Sequence, residues 1–198
     1  MNIYFNCIFA LLALMNPISK IFVVSTLSGE LQDNKVRKIC LKASLVAACI
    51  LLLFALVGNF LLTYVFHVTI YAFQIVGGIV LFLRGLQALN KGLFFEIDAH
   101  QKLEDIAIVP LASPMIAGPA TITAAVSFPA HYGMLVTLVS ISCAVSVNLL
   151  IMFYSKLIGD YLKKYNLMGA LIRITGLIVA TIGAQMLLDG FSVYLKSL

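Results

Sequence analysis

Six apolar runs follow one another along this chain, at about residues 3–27, 39–66, 68–90, 106–128, 133–155 and 167–190. Each is long enough to cross a bilayer as a helix, which takes roughly 20 residues. Backbone groups in hydrocarbon must be paired within the segment or around a closed barrel. The runs lack the short alternating segments of membrane β-strands. Hydrophobic residues make up 62% of the chain and charged residues 11%, too little charge to clothe a water-facing globule. The expected fold is an all-α membrane protein with six transmembrane helices in a single domain over residues 1–198.

The longest polar stretch, a connector at about 91–105, holds Glu96, Asp98, His100, Lys102, Glu104 and Asp105. It is too short to be a domain. It divides the chain into repeat one, about 1–92, and repeat two, about 104–198, with three spans each. Basic residues set the orientation. Lys35, Arg37, Lys38 and Lys42 follow span one, Lys91 and Lys102 fall between spans three and four, and Lys156, Lys163 and Lys164 follow span five. The N-terminus and the loops near His67 and His131 carry no Lys or Arg. The positive-inside rule places these basic loops in the cytoplasm and both termini outside. Because three is odd, the second half enters from the opposite face, so homologous halves are inverted repeats. IVGGIVL (75–81) in span three resembles ITGLIVA (174–180) in span six, which supports that reading.

The same composition excludes other classes. The net charge of +5 comes from short loops, so no nucleic-acid partner is expected. Cys7, Cys40, Cys49 and Cys143 form no C-x-x-C pair and read as small core residues. His67, His100 and His131 lack metal-ligand spacing, and no hydrolase, P-loop or zincin motif is present. The chain is not expected to be an enzyme, nor to hold a metal or cofactor; a coupling ion is left open. MNIYFNCIF lacks the basic start of a cleaved signal peptide.

Two spans are interrupted by proline. Asn16-Pro17 falls within FALLALMNPISKIFVV, and Ser113-Pro114 and Gly118-Pro119 within IAIVPLASPMIAGPATITAAV. Pro17 and Pro114 lie about half a chain apart. One proline alone reads as a kink. Two breaks in corresponding spans are the pattern by which carriers build a mid-membrane site. Asn16 is suited to cap a half-helix starting at Pro17, and Pro119 to open another after Gly118. Half-helix N-termini offer unpaired N–H groups and partial positive charge, which suit a carboxylate. Gly118 lets a ligand approach the backbone. Ser19, Ser113, Thr121 and Thr123 add hydroxyls, with helix-to-helix hydrogen bonding equally open for Thr123. Met115, Ala117 and Ala120 would form a narrow apolar pocket.

Two readings stand for Lys20, which lies inside span one: snorkelling to the cytoplasmic side, or facing the substrate path. Arg84, nearer its span end, reads as snorkelling. Arg173 closes the path, binds a carboxylate or anchors its helix. Gly77, Gly78 and Gly176 are candidates for gating or packing, and Gly176, Ala180, Gly183 and Ala184 form a small-residue face suited to close helix contact. Asn148, Gln74, Gln87 and Gln185 supply neutral polar groups, whereas no Asp or Glu is central in any span.

Asn16-Pro17, AFQIVGG (72–78), PLASPMIAGPATIT (110–123) and RITGLIVATIGAQML (173–187) together resemble the MarC family, over essentially the whole chain. The most specific part is the motif of Pro110, Leu111, Pro114, Gly118 and Pro119. Ser19, Lys20 and Phe22 depart from the family's usual small, amide and proline residues, and Gln74 from a frequent basic one. The resemblance implies a six-span inner-membrane protein of bacteria or archaea, with a fold similar to amino-acid exporters of the LysE type. It also implies carriage of small neutral amino acids such as glycine and alanine, at a site between spans one and four. The expected binding residues are Asn16, Pro17, Ser19, Lys20, Ser113, Pro114, Ala117, Gly118, Pro119 and Thr121. The expected partners are that amino acid and the lipid bilayer, with a homo-oligomer left open. Two other functions remain: an exporter of larger amphipathic compounds or drugs, and a non-transporting membrane subunit.

Overall fold

The computed structural model describes residues 3–92 and 107–196. The rest of the polar connector, with its acidic cluster and His100, lies outside the described residues, as does the start of repeat two. All regular structure among the described residues is helical. Helices α1 (Ile3–Met15) and α2 (Pro17–Glu30) meet at a bend of 48°. Helix α3 (Asp33–Phe60) runs on through a π-helical turn to Val65, and α4 spans Ile70–Lys91. A π-helical segment (Ala107–Ile116) precedes α5 (Pro119–Tyr132). Then come α6 (Met134–Phe153), α7 (Ser155–Lys164) and α8 (Met168–Lys196).

Four helices, the α3 rod, α4, α6 and α8, are each long and apolar enough to cross a membrane, and the bent α1–α2 pair makes a fifth candidate. The expected fourth span is divided between the π-helical segment and α5, which has 14 residues and alone is too short to cross. Two boundaries differ from the sequence reading. Lys35, Arg37, Lys38 and Lys42 lie on the first turns of α3, not in a loop. The basic stretch after span five forms the extra helix α7. Ser155, Ile158, Gly159 and Leu162 share its inner face at helical spacing, and Gly159 sits against Ser25 of α2. Lys156 on its outer face pairs with Asp33 at 2.8 Å, tying α7 to the start of α3.

Side-chain size is sorted as expected where the solvent is lipid. Phe9, Leu45, Leu135 and Leu188 are exposed, whereas Ala43, Ala47, Ala112 and Ala144 are fully buried beside Leu11, Leu51, Ile116 and Ile141. Lipid tails are as apolar as leucine, so association comes from close packing, and small residues belong inside.

Helices α4 and α8 show the closest approach. Gly85 meets Gly176 and Ala180, while Gly78 meets Gly183, so the two helices run antiparallel. A Cβ added at Gly85 would stand 2.4 Å from the Ala180 nitrogen, and one at Gly183 2.5 Å from that of Phe82. Both obstacles are backbone, which cannot rotate aside. Of the gating or packing candidates, Gly78 and Gly176 lie in this backbone contact, and Gly77 lies between Met186 of α8 and Pro119 of α5. Gly183→Ala is expected to destabilise the protein by about 2 kcal/mol, the usual cost of overpacking. Thermal melting in detergent measures this, with Gly169→Ala as a control because nothing lies within 4 Å of that position. An unchanged melting temperature for Gly183→Ala would contradict the contact.

Candidate functional site

The break between α1 and α2 is built by Asn16. Its backbone is left-handed, with φ 48° and ψ 77°, a conformation Asn tolerates better than most side chains. Its N–H donates to the carbonyls of Leu12 and Ala13 at 3.1 and 3.2 Å. Pro17, the first residue of α2, has no N–H to continue the ladder. The expected side-chain cap is not formed; Asn16 serves through its backbone shape instead. Its carbonyl accepts from Ser19 Oγ at 2.8 Å and from Lys20 Nζ at 3.4 Å. Lys20 Nζ also donates to the Met15 carbonyl.

Those contacts settle Lys20. It is fully buried, so it does not snorkel, and it does not line the cavity described below. Side chains on a helix lean toward its N-terminus. A lysine just after a break is therefore aimed at the carbonyls the break has stripped of partners.

The second break has the same plan with different residues. Gly118 precedes α5 and Pro119 is its first residue. Thr121 Oγ1 donates to the carbonyls of Gly118 and Ile116 at 2.9 and 2.8 Å. Ser19 and Thr121 thus stand at the same step after their breaks and donate to the corresponding carbonyls, those of Asn16 and Gly118. Pro119, not Pro114, is the structural counterpart of Pro17; Pro114 lies within the π-helical segment. Gly118 is required by packing. Its φ of −88° suits any residue, but a Cβ there would lie 2.5 Å from the Pro114 carbonyl oxygen. The close neighbour is therefore the chain's own backbone, where the sequence suggested a ligand.

The two breaks share one cavity of about 100 Å³, lined by Asn16, Ser19, Pro114, Gly118, Pro119 and Thr121 of the expected binding residues. Met115 and Ala120 add apolar wall, and Leu14, Leu81 and Val179 close it. That volume holds several waters or one small solute. Ser113 and Ala117 line an adjoining apolar groove with Phe73, Val76 and Gly77; the two spaces share Val80, Pro114 and Pro119. Pro17 borders neither space. Gly77 packs on α5, where an added Cβ would come within 3.3 Å of Pro119 Cβ. Arg173 is exposed and away from the cavity. Thr123 spends its hydroxyl on the Pro119 carbonyl of its own helix, at 2.9 Å, not on a neighbouring helix. Gln185 likewise donates within its helix, to Asp189 at 2.8 Å.

Arg84 was missed as a site residue. It stands at the cavity wall while itself exposed, which places it at the mouth, and its Nη1 donates to Gln87 Oε1 at 3.0 Å. Helical spacing held the signal: Gly77, Val80 and Arg84 share one face of α4, and Gly77 abuts Pro119. Among the described residues no Asp or Glu lines the cavity. Its electrostatics are thus those of two helix N-termini and one guanidinium, a setting for an anionic group.

The comparisons agree with this architecture. The chain matches the model of the MarC family integral membrane proteins over residues 1–195. It is 36% identical to a UPF0056 membrane protein of Pyrococcus horikoshii over 180 residues, covering 91% of this chain and 89% of that one. A UPF0056 membrane protein of Aquifex aeolicus is 32% identical, with 98% and 94% covered, and the UPF0056 membrane protein YvbG of Bacillus subtilis 29%, with 90% and 89% covered. No solved structure matches the chain. With its helical membrane architecture and whole-length similarity, the chain belongs to the MarC family of integral membrane proteins.

Proposed function

We propose that the protein is a secondary carrier of small neutral amino acids, of the size of glycine or alanine. The observation that carries this reading is the shared cavity at two half-helix N-termini. The solute carboxylate would lie against the N–H groups opening α2 and α5, with Arg84 at the mouth. Ser19 and Thr121 have donated their protons to backbone carbonyls. Their remaining lone pairs are acceptors, suited to a solute ammonium. Met115 and Ala120 keep the side-chain space small. The two halves act as inverted repeats that rock about the fixed site in a bacterial or archaeal inner membrane, both termini outside. The carrier works without enzymatic chemistry.

An exporter of bulky amphipathic compounds fits less well, because a cavity of about 100 Å³ without an aromatic lining residue offers little room. Labelled glycine and alanine should accumulate in proteoliposomes bearing the purified chain, and larger apolar amino acids such as phenylalanine should not. Absence of uptake for every small amino acid sinks the carrier reading and leaves a non-transporting subunit.

A further inference from the structure

Among the described residues, Lys20 is the only charged side chain that is buried, with 0% exposure. A lone charge inside a membrane protein is costly and needs a partner. Its hydrogen-bond acceptors are the backbone carbonyls of Met15 and Asn16, and no carboxylate of the described residues pairs with it. These carbonyls are the C-terminal end of α1, where the helix dipole leaves partial negative charge. In carriers with interrupted helices, unwound carbonyls and half-helix C-termini are where a free cation is held. Here the equivalent place is filled by the chain itself. The second break differs: the Ile116 carbonyl takes the neutral hydroxyl of Thr121 at 2.8 Å.

We propose that the Lys20 ammonium is a tethered cation filling the carbonyl cup at the end of α1, so that the cup itself, as distinct from the Ser19 hydroxyl on the cavity wall, takes no exchangeable cation, neither a coupling Na⁺ nor a solute ammonium. The four-carbon stem sets the fit. It starts one turn into α2 and reaches back to the Met15 and Asn16 carbonyls, while Met15, Asn16 and Ser19, but not Lys20, line the cavity. The negative end of α1 is neutralised from within. The positive ends of α2 and α5 then face the cavity and attract a carboxylate without an added cation. Where the reading of the cavity as a solute site is added, on which this step rests, solute flux through the first break is independent of Na⁺.

The binding claim is tested without transport. The purified full chain is melted in detergent in choline chloride, in sodium chloride and in methylammonium chloride at equal ionic strength. The wild-type melting temperature should be the same in all three. Lys20→Ala should melt lower, by on the order of 5 °C, and methylammonium but not choline should restore at least half of that loss. Methylammonium carries the N–H donors that the carbonyls need; choline does not. Saturable stabilisation of the wild type by Na⁺ or methylammonium overturns the proposal, as does a folded Lys20→Ala that methylammonium leaves unchanged. The wild-type comparison needs no variant, so it decides the matter even if Lys20→Ala does not fold. Uptake of glycine in sodium and in choline buffers is a separate arm. Equal rates support the proposal and a strict sodium requirement opposes it. Absent uptake condemns the carrier reading while the melting result stands.

Discussion

Gly118→Ala should abolish at least nine-tenths of glycine uptake in proteoliposomes while the protein remains in the membrane fraction. The added Cβ would lie 2.5 Å from the Pro114 carbonyl oxygen, closer than any real Cβ contact, and the obstacle is backbone. Either the π-helical segment or the first turn of α5 must move, at a cost of about 1–3 kcal/mol for overpacking. The movement falls where the N–H groups of α5 face the cavity. A displacement near 1 Å at a site of oriented groups costs on the order of a hundredfold in rate. Gly169→Ala, in open space on α8, should leave uptake unchanged. Equal uptake by Gly118→Ala and wild type would remove the second break from the site.

That prediction follows from spacing which only the folded chain reveals. The prolines announced both interruptions, because a missing N–H and a fixed φ act locally. Gly118-Pro119 marked the start of the second half-helix, but the half-chain spacing paired Pro17 with Pro114, which is not its structural counterpart. The stretch PLASPMIAGP offers Pro114 and Pro119, and nothing in composition signals that the chain before Gly118 is wound as a π-helix. Gly118 looked like a place for a ligand to approach; three-dimensional packing assigned the space to the Pro114 carbonyl instead. Helix α7 was hidden for a different reason. Its three lysines read as a basic loop, although Ser155, Ile158, Gly159 and Leu162 already recur at helical spacing.

Lys20 follows neither of its two sequence readings and Arg84 departs from its one, and both outcomes have local causes. Distance from a span end decided the sequence reading, in which Arg84 near the edge snorkels and the deeper Lys20 either snorkels or faces the path. The structure responds to direction. Lys20 points back along α2 onto the carbonyls freed at Met15 and Asn16. Arg84 lies on the face of α4 that Gly77 presses against Pro119. The breaks therefore outweighed depth: the one in its own span supplied acceptors for Lys20, and the cavity shared by both breaks supplied an opening for Arg84.

Arg84→Gln should accordingly raise the half-saturating concentration of a small amino acid by about 10- to 100-fold, with the maximal rate changed much less. The range corresponds to about 1.5–3 kcal/mol for a hydrogen bond to a charged group. Arg84 lines the cavity and stands at its mouth, where an entering anion passes it. Its hydrogen bond to Gln87, one turn along α4, helps to orient the planar group. Arg84→Lys keeps the charge but loses the fork that grips a carboxylate through two N–H bonds. It should fall between wild type and Arg84→Gln. An interfacial anchor predicts the reverse pattern: lower yield in the membrane for Arg84→Gln, none for Arg84→Lys, and an unchanged half-saturating concentration in both. Concentration dependence of uptake, measured on equal amounts of inserted protein, separates the two roles, because an anchor acts on how much protein is present and a mouth residue on how tightly each molecule holds its solute.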